Sequence, residues 1–254
     1  MKRVVIIGSG GVAEALALGI QRDGSLELVQ VWGRNEERVA YISKMCGVAV
    51  TSQIARGDVY IVSVSDRAIS DVTAGIEFPA DAVVVHTAGS VEMSKISHHR
   101  KGVLYPLQSF TPGRRVDLRE VPFFVEGCCE EVTAQIEEVA KYLSPSVMRM
   151  DSNGRKRLHL CGVFASNFSN AMYAVSAKIA QESNIPFEFL KPLIEESCRK
   201  AMMVEDPRMA QTGPAVRGDK STQNEHLKML AHDETLKEIY KIISLQIWET
   251  SKKM

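Results

Sequence analysis

The chain has 254 residues, with 31 Lys and Arg against 31 Asp and Glu and a formal net charge of zero. Such a balance lacks the bulk positive field of a nucleic-acid or anionic-membrane binder, so any anion must be met by a local cluster; a small-molecule substrate is the expected partner. The composition, 45% hydrophobic and 24% charged, is that of a globular protein of one large or two modest domains, while the odd number of cysteines without zinc-type spacing and the lack of a membrane-length apolar run or a leader-like start predict a reduced, cytoplasmic protein.

Short, near-continuously apolar runs at 4–7, 28–32, 59–64, 82–85 and 122–125 predict strands covered on both faces. Amphipathic stretches at 11–22 and 35–46 alternate with the first three, giving a β-α-β-α-β order. The first strand ends in Gly8-Ser9-Gly10-Gly11-Val12-Ala13, which matches G-x-G-x-x-A. Gly8 permits the tight turn, Gly10 lets backbone approach a pyrophosphate, and Ala13 lets the helix lie close to the strand. The free amides of the helix N-terminus then meet the phosphates. A glycine turn needed only for packing is the competing reading; the strand before it and the helix after it favour the nucleotide. The predicted fold class is an α/β Rossmann domain, a doubly wound, mostly parallel sheet, and all six residues of the turn are candidate cofactor contacts.

The second strand ends in Gly33-Arg34-Asn35. No carboxylate stands at its tip to hold a ribose 2′-hydroxyl, and Arg34 can pair with a 2′-phosphate, which favours NADP over NAD. Alternatively Arg34 is solvated and Asn35 caps the next helix; both roles can hold for Asn35. Ligands of such sheets lie beyond the carboxyl ends of the strands, so the polar residues following each run are the next candidates. Ser63, Val64, Ser65, Thr87, Ala88 and Gly89 are expected along the cofactor, the segment Tyr105 to Phe110 is expected to face it as well, and Ser90, Gln108 and Ser109 are expected near the substrate. Asp66 is equally suited to cap a helix at 68–73. His86, at a strand tip, is a candidate acid or base, whereas His98-His99 reads as an exposed loop.

From Asp151 onward apolar residues recur only at helical spacing. A helix running to about Gln181 presents Lys156, His159, Ser166, Asn167 and Asn170; the spacing puts His159, Ser166 and Asn170 near one face and Asn167 on its edge. His159 and Asn170 are candidate catalytic groups and Asn167 a substrate contact. Further helices are predicted at 187–204, split at Pro192, at 222–232 and at 234–252, with Thr222-Gln223-Asn224-Glu225 as a capping box and Asp233 as an N-cap. In the loop between them Arg217 can clamp a substrate carboxylate or phosphate with Asp219 orienting it, or the two can pair with each other. The domains expected are 1–152, binding the dinucleotide, and 153–254, an all-α substrate and dimerisation domain.

Beside the glycine turn, the segments His86-Thr87-Ala88-Gly89-Ser90, Tyr105-Pro106-Leu107-Gln108-Ser109-Phe110, Phe164 to Asn170 and Gly213 to Asp219 are distinctive together. In these the whole chain resembles a bacterial family that joins a Rossmann domain to a C-terminal helical domain of unknown function, labelled NADP oxidoreductases of the deazaflavin type. The resemblance implies an architecture similar to pyrroline-5-carboxylate reductase and the 6-phosphogluconate dehydrogenase group, with C-terminal helices building a homodimer. It does not carry over the helix-borne lysine of the hydroxyacid dehydrogenases: Lys156 lies too early, and His159 takes the central place. The expected function is an NADP-dependent oxidoreductase moving hydride between nicotinamide and a small polar carbonyl or imine, with His86 or His159 supplying the proton. A non-catalytic NADP-binding redox sensor is the alternative. Deazaflavin as second substrate is a third reading, for which no segment forms a recognisable site.

Overall fold

A computed structural model describes residues 1–252 and divides the chain into two compact units, Met1–Ala171 and Met172–Met254. The first is built on a seven-stranded sheet in the order β2-β1-β3-β4-β5-β6-β7. Strands β1 (Lys2–Ile7), β2 (Leu26–Trp32), β3 (Val59–Val62) and β4 (Val83–His86) occupy the four runs expected first. Val4, Ile6, Val59, Ile61, Val83 and Val85 point into one apolar layer, and Val5, Ile7, Tyr60, Val62 and Val84 into the other. This alternation into two separate cores is why the runs carry no polar face. Helices α1 (Gly11–Asp23), α2 (Glu36–Cys46) and α3 (Ile69–Ala74) follow β1, β2 and β3.

Three elements of this unit lie outside the expected pattern. Strand β5 (Lys101–Pro106) begins with Lys-Gly and ends in Pro, so its apolar centre is too short to stand out, yet it continues the parallel sheet beside β4. Helix α4 (Glu130–Leu143) buries Val132, Ile136, Val139, Ala140 and Leu143 in the first layer. Strand β7 (Val147–Arg149) is a three-residue edge that pairs with β6 (Phe123–Gly127), itself antiparallel to β5. Helix α5 (Ser152–Gly162), capped by the Asp151 carboxylate on the Gly154 amide at 2.7 Å, runs into a π-helical turn at Val163–Phe168. The division between units falls inside the next helix, α6 (Ser169–Glu182).

The second unit is helical among its described residues. Pro192 does not split its helix: a 3-10 turn at Phe187–Leu190 leads into α7 (Lys191–Met203), where proline sits in the first turn and no intrahelical donor is lost. Helix α8 (Lys220–Met229) starts earlier than expected. Its N-cap is Asp219, which accepts from the Thr222 amide at 3.0 Å and the Thr222 hydroxyl at 2.7 Å, so Thr222 is inside the helix and opens no capping box. Asp233 caps α9 (Glu234–Ser251) through the Leu236 amide at 3.0 Å, as the sequence predicts. No helix among the described residues is long and apolar enough to cross a membrane.

Candidate active site

Strand order reverses beside β1, which has β2 on one side and β3 on the other, and a cleft of about 710 Å³ opens there beyond the carboxyl ends of the strands. Its floor is the glycine turn. Gly8 has φ of +132°, and a Cβ there would lie 2.0 Å from the Ser63 carbonyl oxygen, so both its conformation and the approach of the β3 end require glycine. A Cβ at Gly10 would meet nothing within 4 Å, which leaves that backbone open to the cleft. Helix α1 starts at once, and no side chain caps its first amides. Gly8 to Val12 line the cleft; Ala13 does not, being fully buried among β1 and α1 side chains, where its small size serves packing.

On the β2 side the wall is Trp32, Gly33, Arg34 and Asn35. Asn35 accepts from the Arg38 amide at 3.0 Å and so caps α2 while facing the cleft. Arg34 is exposed and has no ion-pair partner among the described residues. Its neighbour Arg38 is occupied, paired with the nearly buried Glu14 carboxylate, which also accepts the Gly113 amide at 3.1 Å. The opposite wall carries Ser63, Val64 and Ser65 after β3 and Thr87, Ala88 and Gly89 after β4. Asp66 lines the cleft too; it caps nothing, and instead accepts the Ser90 hydroxyl at 2.5 Å.

At the far end stand Tyr105, at the tip of β5, and His159, on α5. The Tyr105 hydroxyl lies 3.3 Å from His159 Nδ1. Both press on Gly89, where a Cβ would sit 2.6 Å from His159 Nδ1 and 2.8 Å from the Tyr105 ring. Burial pushes the Tyr105 phenol up from its ordinary pKa, which holds it in the protonated form. Gln108 lines this end as expected, whereas Ser109 and Ser90 are exposed and do not.

Several expected residues of the first unit lie outside the cleft. His86 is fully buried at the last position of β4 and does not reach the cleft. Burial, and then the nearby Arg155 cation, push its pKa down to about 4, and a ring sealed from the cleft cannot exchange a proton with a ligand in it. Asn167 and Asn170 are exposed, and neither they nor Ser166 line the cleft. The π-helical turn adds residues per turn, so the α-helical spacing linking His159, Ser166 and Asn170 does not hold through it. Asp219 is committed to capping α8 and Arg217 is exposed without an ion pair among the described residues, so neither orients the other through a salt bridge. Tyr105, Pro106 and Phe110, in the segment expected to face the cofactor, line the cleft with Gln108, whereas Ile7, Trp32, Asp71, Val72, Gly75 and Ile76 in its wall were not singled out by sequence reasoning. Asp71 and Val72 lie on α3, and Gly75 and Ile76 follow its C-terminal end.

A glycine turn between strand and helix at the switch point of a doubly wound sheet, with an exposed arginine at the β2 tip, defines a domain of the dinucleotide-binding Rossmann class. Residues 3–89 match the family model of NADP oxidoreductase, coenzyme F420-dependent, and residues 121–247 match a domain of unknown function, DUF2520. A crystal structure from Bacteroides fragilis, provisionally named an NADP oxidoreductase, is 38% identical with a TM-score of 0.90 over 98% of each chain. The chain belongs to this family of NADP oxidoreductases that carry the helical domain of unknown function, and NADP is its cofactor. The same fold occurs in pyrroline-5-carboxylate reductase of Streptococcus pyogenes (TM-score 0.63, 14% identity, 100% and 99% of the chains) and in an imine reductase of Myxococcus stipitatus in complex with NADP+ (0.63, 14%, 99% and 93%). No curated protein matches the chain.

Proposed function

We propose that the protein reduces a small polar carbonyl or imine with NADPH, and that the Tyr105–His159 pair supplies the proton. The observation that carries this reading is the 3.3 Å approach of the Tyr105 hydroxyl to His159 Nδ1 at the end of the same cleft whose floor is the phosphate turn. The residues present fit the cofactor: open backbone at Gly10, uncapped amides of α1, and Arg34 free for a 2′-phosphate. NADPH supplies the hydride when bound. Tyr105 holds a hydroxyl proton that burial keeps in place, and His159 can replace it through Nδ1. Val64, Ala88, Pro106 and Phe110 add apolar surface to the cleft wall. A neighbouring fold that reduces imines supports imines as the first substrates to try.

The test is NADPH consumption with a panel of cyclic imines and small ketones. Replacing Tyr105 by Phe or His159 by Ala should lower turnover roughly 100-fold with NADPH affinity nearly unchanged. Full turnover in both variants, or none by the wild type on any member, overturns the reading. We further propose a homodimer formed by C-terminal helices, because Leu160, Phe164 and Phe168 on the first unit and Ile242, Ile243 and Leu245 on the second are exposed apolar side chains. Light scattering should give twice the chain mass of 28.1 kDa, and a monomer at micromolar concentration refutes it.

A further inference from the structure

Residue Ala88 has both of its backbone polar groups engaged by buried side chains. His86, fully buried, accepts the Ala88 amide on Nδ1 at 3.2 Å. Arg155, also fully buried and the largest such side chain in the described residues, donates from Nε to the Ala88 carbonyl at 3.2 Å. The same guanidinium donates from Nη2 to the Val91 carbonyl and from Nη1 to Glu126 on β6 at 2.7 Å. The Ala88 amide fixes the His86 tautomer, leaving the proton on Nε2, near the Glu92 backbone. Burying an arginine with one carboxylate is weak grounds for stability, since apolar side chains of that size often serve a core as well. Its planar fork is suited to a different task, holding several carbonyls in one arrangement.

We propose that His86 and Arg155 form a buried clamp whose task is to hold the Thr87–Gly89 segment in the shape that receives the nicotinamide half of the cofactor. This rests on the oxidoreductase reading above. The sheet order places the segment: the phosphate turn follows β1, the adenosine side lies at the β2 tip beside Arg34, and β4 stands on the opposite side beyond β3. Thr87, Ala88 and Gly89 all line the cleft there, and Gly89 lies against His159 and Tyr105. His86 and Arg155 do not line it. They are positioning residues, one gripping each side of the same peptide unit pair, and through Gly89 they also set the distance to the proton source.

The experiment compares two ligands, NADPH and 2′,5′-ADP, by calorimetric titration of the full chain. The shorter ligand reaches the adenosine and Arg34 side but has no nicotinamide. Arg155→Gln and His86→Leu should each weaken NADPH roughly tenfold and leave 2′,5′-ADP within about twofold. His86→Asn keeps an acceptor at the Nδ1 position and should restore NADPH affinity to near the wild-type value. Unchanged NADPH binding in His86→Leu, or equal weakening of both ligands, overturns the clamp and leaves the pair a role in folding alone. If Arg155→Gln does not fold, the two His86 variants decide. Failure of the wild type to bind NADPH is a different result, and sinks the oxidoreductase reading itself.

Discussion

His86 stays neutral in the folded protein, with a pKa of about 4 against an ordinary 6.5, because burial and then Arg155 disfavour the cation. Below pH 6.5 the unfolded chain takes up a proton that the folded chain refuses, so stability falls as pH drops from 6.5 towards 4 and is not changed by this group above 6.5. The loss approaches about 3 kcal/mol at pH 4. Urea midpoints at pH 7 and pH 4.5 should therefore differ less for His86→Asn than for the wild type. Gly8 sets a second expectation at this scale. An alanine there takes a left-handed φ and drives its Cβ into the Ser63 carbonyl, so Gly8→Ala should cost more than about 2 kcal/mol and lower the melting temperature. Gly8 was legible in the sequence because the motif names the turn that needs it. Arg155 was not, since nothing in a run of Arg155-Lys156-Arg157 tells which cation is buried.

Elements place the cofactor preference. The β2 tip and the first turn of α2 share Asn35, which caps the helix and lines the cleft, while Arg34 next to it is exposed and has no ion pair among the described residues. Arg34→Ala should weaken NADPH more than NADH. Asn35→Asp preserves the cap, since aspartate serves that position as well as asparagine, but adds a carboxylate where the 2′-phosphate is expected. Its helix should remain stable to within about 0.5 kcal/mol while the NADPH-to-NADH affinity ratio falls. Fluorescence titration of both nucleotides checks the pair. The cap made by Asn35 could be read from residues 31–37 because capping is local. The face presented by α5 and the turn after it could not: Val163–Phe168 is π-helical, and the spacing rule that joined His159 to Asn170 assumes an uninterrupted α-helix. Capping shows the same limit, since Asp219 begins α8 ahead of a Thr-Gln-Asn-Glu sequence that resembles a box.

For the molecule as a whole, burial separates groups that composition treats alike. Cys46, the last residue of α2, is buried in the core, and burial, with Glu14 nearby, pushes its thiol up to about 11, whereas Cys128 and Cys129 are exposed. A thiol reagent should label Cys128 and Cys129 in the folded protein at once and reach Cys46 only on the timescale of unfolding; prompt labelling of Cys46 would contradict this burial. The two apolar layers on either side of the sheet follow from runs of Val and Ile without polar positions, and those runs were read directly. Strand β5 was hidden by its Lys-Gly start and Pro end, although the segment that begins with Tyr105 at its tip was read as facing the cofactor.

By itself the sequence determined the parallel β-α-β framework, the glycine turn between β1 and α1 and the β2 tip that carries an arginine and no carboxylate, because each depends on hydrophobic periodicity or on residues adjacent along the chain. Only the tertiary structure decided that His86 is sealed, that Tyr105 meets His159 from a residue 54 positions away, and that Arg155 grips Ala88 across 67 positions. Those facts depend on which strands become neighbours and how deeply a side chain is buried when they do, and no local pattern encodes either.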